Sequence, residues 1–123
     1  MLSLAQTYAT LINEGRFEEL TPLLSEDCHY RYSEGNYLWR DNIVSLFRHN
    51  HEMAKRTFEE THYSSSASPV DENTFKVLLL DQFRFRGEWG EHPNKQILKI
   101  ANGLIVDIEE FETVGQISPQ NPS

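Results

Sequence analysis

Residues 96–112, QILKIANGLIVDIEEFE, constrain the fold more than any other stretch of the chain. Two arms of alternating polarity flank Ala101-Asn102-Gly103, the pattern of an antiparallel hairpin. Two loop geometries compete. A two-residue Asn-Gly turn sets Ala101 opposite Leu104, which puts Lys99 beside Val106 and Asp107 beside Leu98. A three-residue loop with Gly103 left-handed sets Ile100 opposite Leu104, Leu98 opposite Val106 and Gln96 opposite Ile108. A one-residue slip changes which side chains share a face, so the second register is the expected one. It gathers Leu98, Ile100, Leu104, Val106 and Ile108 on one face, with Gln96 and Glu110 at its far end. Ile97, Lys99, Ile105, Asp107, Glu109 and Phe111 take the other. Polar groups that end an apolar row mark either the edge of a core or the floor of a pocket.

Upstream, the period is helical. Leu4, Tyr8, Leu11 and Ile12 share a face, with Ser3 as N-cap and Gly15 as the stop. Phe17, Leu20, Leu23 and Leu24 form a second, shorter face, interrupted by Pro22. Residues 28–32 read as a strand, followed by the turn Ser33-Glu34-Gly35-Asn36. Asp41 opens a third helix whose apolar positions are Ile43, Leu46, Phe47 and Ala54; Asp41 at its start and Lys55 and Arg56 at its end suit the helix dipole. From Thr57 the period changes to two, predicting strands over 58–67 and 74–86. The second strand places Phe75, Val77, Leu79, Asp81, Phe83 and Phe85 on one side. Residues 87–95 read as a connection, 1–114 as one domain, and the polar stretch 115–123 as a flexible tail. Helices first and antiparallel strands after imply an α+β domain with the helices on one face of the sheet. On the opposite face Leu78, Leu80, Ile97, Ile105 and Phe111 sit among charges, which predicts a homodimer through that outer face.

Charge narrows the function classes. With 11 basic and 19 acidic residues the net charge is −8, against nucleic acid and against anionic membranes. Cys28 is the lone cysteine, so no intramolecular disulfide forms and a reducing compartment is the default. The opening MLSLAQTYATL lacks a basic region and a long apolar run, so no signal peptide is evident; with no run approaching ~20 apolar residues, a cytoplasmic protein is expected. No glycine loop for phosphates is present and no cofactor is expected. His49 and His51 stand two apart on a helix and His29, His62 and His92 are scattered, so no metal site is expected. His51 and His62 remain acid–base candidates because imidazole titrates near neutrality.

The segments TYATLINEGRFEELTPLLSEDCHY and LWRDNIVSLF carry a resemblance over about residues 1–114. A helix closed by Asn-Glu-Gly, a strand over 27–32, an Arg-Asp-x-Ile helix start and a long sheet resemble the nuclear transport factor 2-like superfamily, in its ketosteroid isomerase and polyketide cyclase (SnoaL-like) branch. The resemblance implies a cystatin-like cone: a curved antiparallel sheet with N-terminal helices on its concave face, a cavity between them, and dimers through the outer face. The isomerase's catalytic tyrosine falls on Tyr8. Its acidic base falls near Tyr32, which is no carboxylate, with Glu34 out of register. Its second acid falls on Gln96, and the glycine common before the third helix is Trp39 here.

Three residues are the candidate catalysts: Tyr8, Asp81 and Glu110. Tyr8 points inward and could polarise a ligand oxygen, or be a core tyrosine bonded to backbone or water. Asp81 lies between Leu79 and Phe83 on its face; there its pKa rises, unless a bend or an arginine relieves it. Glu110 carries the same argument at a strand end. Tyr32, Trp39, Phe47, His51, Phe83, Phe85, Gln96 and Ile108 are the expected pocket lining. The reading is a pocket protein for a small apolar ligand with a carbonyl or hydroxyl, acting as a cofactor-independent isomerase, cyclase or hydro-lyase. The alternative is a non-catalytic dimeric binding or interaction module whose cavity is filled by its own rings.

Overall fold

Helix α1 (Leu2–Glu14) buries Ala5, Tyr8, Ala9 and Leu11, a stripe at helical spacing. It starts ahead of Ser3, so that residue lies inside the helix and not before it. Gly15 ends it at φ +71°, with the Gly15 N–H on the Ile12 carbonyl and the Arg16 N–H on the Leu11 carbonyl. That pair of bonds is the Schellman closure, for which glycine is favoured. A 3₁₀ segment, Phe17–Leu23, follows, and buries Phe17 and Leu20. Its tighter period suits the Phe17–Leu20–Leu23 spacing, and Pro22 lies inside its last turn. These features belong to a computed structural model that describes residues 2–112. The end of the expected 1–114 domain and the tail 115–123 lie outside the described residues.

Strands β1 (Leu24–Tyr32) and β2 (Gly35–Leu38) form a hairpin, with Tyr30 opposite Tyr37. Helix α2 (Arg40–Thr57) then buries Ile43 and Val44. Trp39 precedes it at φ +79°, a backbone conformation that glycine adopts without steric cost and tryptophan does not. Strands β3 (Glu60–Asp71), β4 (Thr74–Phe85), β5 (Glu88–Ala101) and β6 (Leu104–Glu112) complete a curved sheet in the order β2-β1-β6-β5-β4-β3. Every neighbouring pair is antiparallel except β1 and β6. α1 lies across β3 and β4 and α2 across β1, so the core sits between helices and sheet. No described helix is long and apolar enough to cross a membrane.

Residues 87–95 are not a connection. Arg86 and Gly87, at φ +54° and +81°, make a two-residue turn, and β5 starts at Glu88. The Glu59 carboxylate accepts the N–H groups of both turn residues, at 2.9 and 3.2 Å, which holds the turn from outside it. Pro93 lies within β5, opposite Leu80 of β4.

The closing hairpin takes the two-residue turn, not the three-residue loop: Ala101 faces Leu104, and Asn102 and Gly103 are both left-handed. Continued regularly, that register would bring Asp107 against Leu98. A bulge intervenes between the pairs Ile100–Ile105 and Lys99–Asp107, leaving Val106 as the extra residue. Beyond it Leu98 faces Ile108, Lys99 faces Asp107 and Gln96 faces Glu110. The bulge thus reconciles the turn that Asn-Gly prefers with a register that keeps aspartate out of the core. It also turns Ile105 inward, where it is fully buried, so Ile105 leaves the expected outer patch.

Candidate functional site

A cavity of about 230 Å³ opens between α1, the 3₁₀ segment, α2 and the sheet. The sheet supplies its polar floor through three lateral rows. Tyr63, Asp81 and His92 are paired across β3, β4 and β5; Leu79 pairs with Asn94; Val77, Gln96 and Glu110 run across β4, β5 and β6. Of these, Tyr63, Leu79, Asp81, Asn94, Gln96 and Glu110 line the space. Phe17, Tyr30, Phe47 and Phe83 add aromatic walls, and α2 contributes Asn50, His51 and Ala54.

One hydrogen-bonded chain runs behind and along the floor. The Tyr8 hydroxyl donates to Gln96 Oε1 at 2.6 Å, and Gln96 Nε2 donates to Glu110 Oε1 at 2.7 Å. Tyr30 shares the cavity wall with the same carboxylate. The polarity is self-consistent, because an ionised carboxylate only accepts and therefore turns the amide oxygen toward Tyr8. Burial holds both hydroxyls well above the ordinary tyrosine range, with the Glu110 charge adding to it, so both keep their protons. Tyr8 has one proton to give, and Gln96 takes it.

Asp81 behaves differently. Burial pushes its carboxyl up to about 6; His92 pulls it down and Glu110 adds a further upward push. Near neutral pH it can therefore hold or release a proton, the property a general acid or base needs. Burial, and Lys55 after it, hold the His51 imidazole below its ordinary range, so it faces the cavity uncharged at neutral pH. Its ring lies 5.2 Å from Phe17 and 5.0 Å from Tyr63. A Cβ at Gly15 would come within 2.9 Å of His51 Nε2, so the glycine that closes α1 also makes room for this ring. Asn94 is only 9% exposed, and its Oδ1 is buried without a hydrogen-bond partner. Burial pushes the Cys28 thiol up to about 12, which makes it an inert core group.

Of the residues singled out from sequence, Asp81, Glu110, Phe47, His51, Phe83 and Gln96 meet at this cavity. Tyr8 stands behind Gln96 and not on the wall. Tyr32 is displaced from the lining because it stacks on Tyr30 and Tyr37, at 5.3 and 6.1 Å. Trp39 is turned outward by its left-handed backbone and is 51% exposed. Phe85, 48% exposed, lies at the end of β4, edge-on to Phe58. Ile108 is sealed in the core opposite Leu98. His62 is outside, paired with Glu60 at 2.8 Å. The sequence reading missed Tyr30, Tyr63, Asn94 and Asn50. Tyr30 carried a signal, since it shares strand parity with Tyr32. Asn94 was hidden because its stretch read as a loop. Among the described residues no three His, Cys, Asp or Glu side chains gather for a metal ion.

No family model matches the chain, and no curated relative matches it. Solved structures do. Bal32a, from a soil-derived mobile gene cassette, is 15% identical at a TM-score of 0.72, over 91% of this chain and 88% of that one. A nuclear transport factor 2-like protein of unknown function from Cytophaga hutchinsonii is 10% identical at 0.71, over 91% and 98%. A protein with a ketosteroid isomerase-like fold from Catenulispora acidiphila, solved in complex with trimethylamine, is 12% identical at 0.68, over 93% and 88%. The fold is therefore nuclear transport factor 2-like, the fold of ketosteroid isomerase-like proteins. At these identities the likeness is one of architecture.

Proposed function

We propose that this chain binds a small, mostly apolar carbonyl or hydroxyl compound and transfers a proton on it without a cofactor, as an isomerase, cyclase or hydro-lyase. The observation that carries the reading is Asp81, a carboxyl titrating near 6 on the wall of an aromatic cavity. As a base it would take a proton from the carbon beside a carbonyl. The side-chain N–H groups of Asn94 and the second Nε2 proton of Gln96 are donors for the charge that develops on oxygen. Gln96 is an amide where the resembled isomerases keep an acid, so it orients and does not exchange protons. At about 230 Å³ the cavity lies below the ~300–1,000 Å³ usual for drug-sized ligands. One ring or a short branched chain suits it better than a fused polycycle. The trimethylamine of the Catenulispora structure, a ligand of few heavy atoms, is in keeping with that size.

The test is hydrogen–deuterium exchange at the α-carbon of small cyclic ketones in D₂O, followed by proton NMR. The wild-type chain accelerates exchange, and Asp81→Asn lowers the rate by ~10²–10⁴-fold, the usual weight of a positioned acid or base. Equal rates for the two proteins overturn the assignment. We propose in addition that two copies associate through the outer sheet face. Leu78 and Phe111 are 47% and 41% exposed there, beside the half-buried Leu80 and Ile97.

A further inference from the structure

The charges on the cavity wall are of one sign. Asp81 and Glu110 are its carboxyl groups, and no lysine or arginine lines it among the described residues. The histidine that does, His51, is held uncharged at neutral pH. Asn94 adds a buried acceptor, Oδ1, that lacks a donor. Around these acceptors stand the faces and edges of Tyr30, Phe47, Tyr63 and Phe83. Aromatic faces attract cations through their quadrupole, most strongly where water is excluded. A neutral ligand would leave that attraction unused, even where a hydroxyl pairs with the Asn94 oxygen. A ligand of fixed positive charge with no N–H would answer the rings but not the oxygen.

We propose that the occupant of this cavity is a small protonated amine, with an N–H group for the buried Asn94 oxygen and its positive charge set against Asp81 and Glu110. This rests on the reading of the cavity as a small-ligand site and narrows its substrate class to compact amino ketones or amino alcohols. The aromatic walls take the alkyl part. The same arrangement disfavours carboxylate and phosphate compounds, which would meet like charge without a compensating cation on the wall.

Isothermal titration of the full chain at pH 7.5 and low salt, with cyclohexylammonium against cyclohexanol, separates the possibilities because the two probes match in size and shape. The ammonium binds at least tenfold more tightly than the alcohol, and Asp81→Asn removes most of that preference. Tetramethylammonium, which has charge but no N–H, binds more weakly than cyclohexylammonium. Lowering the pH to 5 weakens the ammonium several-fold and leaves the alcohol unchanged. The groups facing Asp81 are Glu110, His92 and Tyr63, with His51 and Tyr30 also on the cavity wall; protonation of His51 acts in the same direction. Equal binding of amine and alcohol, or binding of the alcohol alone, overturns the inference and leaves the small-ligand reading in place. Binding of neither probe removes both. A preference that survives Asp81→Asn also overturns the inference.

Discussion

Replacing Asp81 by Asn stabilises the protein at neutral pH, and the gain disappears in acid. The unfolded chain gives this carboxyl its ordinary value of 3.8, while the fold pushes it up to about 6 through burial, with Glu110 adding to the push against His92. Because the folded value lies above the unfolded one, its stabilising contribution is complete below pH 3.8 and is lost as the pH rises through about 6. The interval from 3.8 to about 6 corresponds to about 3 kcal/mol at 1.36 kcal/mol per decade. At pH 4 only about 0.6 kcal/mol of that has been lost, whereas at pH 7.5 nearly all of it has. Asparagine keeps the shape without the charge. Urea unfolding followed by circular dichroism, on both proteins at both pH values, isolates the effect as a difference of differences. The stabilisation by Asp81→Asn is expected to exceed its pH 4 value by about 2 kcal/mol at pH 7.5. A pH-independent difference, or a variant destabilised at pH 7.5, would show that Asp81 is well solvated and would refute the argument for its proton chemistry. On the proposed reading the same substitution lowers the exchange rate by ~10²–10⁴-fold, so stability and activity are expected to move in opposite directions.

Three other perturbations probe the frame of the site. Tyr8→Phe leaves Gln96 Oε1 without its donor in a closed interior and costs ~1–3 kcal/mol by urea unfolding; an unchanged midpoint would mean that the 2.6 Å bond is absent in solution. Gly15→Ala costs ~1–2 kcal/mol, because φ is +71° and the new methyl approaches His51 Nε2, and it moves the His51 ring resonances; unaltered resonances would remove the contact. Leu78→Lys places a charge on the outer sheet face and halves the mass measured by light scattering, with little change in the thermal midpoint of the fold. A wild-type chain that already has monomer mass at micromolar concentration refutes the dimer.

The parts of the site legible from sequence are those set by local periodicity. The alternation of β4 suffices to put Asp81 on the face of Leu79 and Phe83, and the structure lines the cavity with all three. The helical spacing of α1 likewise turns Tyr8 inward. The partners of these residues were not legible, because they come from afar: Tyr8 and Gln96 are 88 positions apart, and Gln96 and Glu110 are 14 apart. Residues 88–94 give no strand pattern of their own. Trp89, Gly90, His92 and Pro93 do not alternate, and the stretch becomes a strand because β4 lies beside it and Glu59 holds the turn between them. That is why Asn94 escaped notice while Gln96, two residues further on, did not. The hairpin shows a subtler limit. Both the expected loop and the observed turn with its bulge put Gln96 and Glu110 on one face, yet only the bulge makes them direct partners. Asn102-Gly103 satisfies its local turn preference, and the core rejects Asp107 opposite Leu98. The conflict is absorbed at Val106, a residue no local pattern marks. By that displacement Glu110 comes within hydrogen-bonding reach of Gln96, and its charge is brought to the cavity that Asp81 also faces.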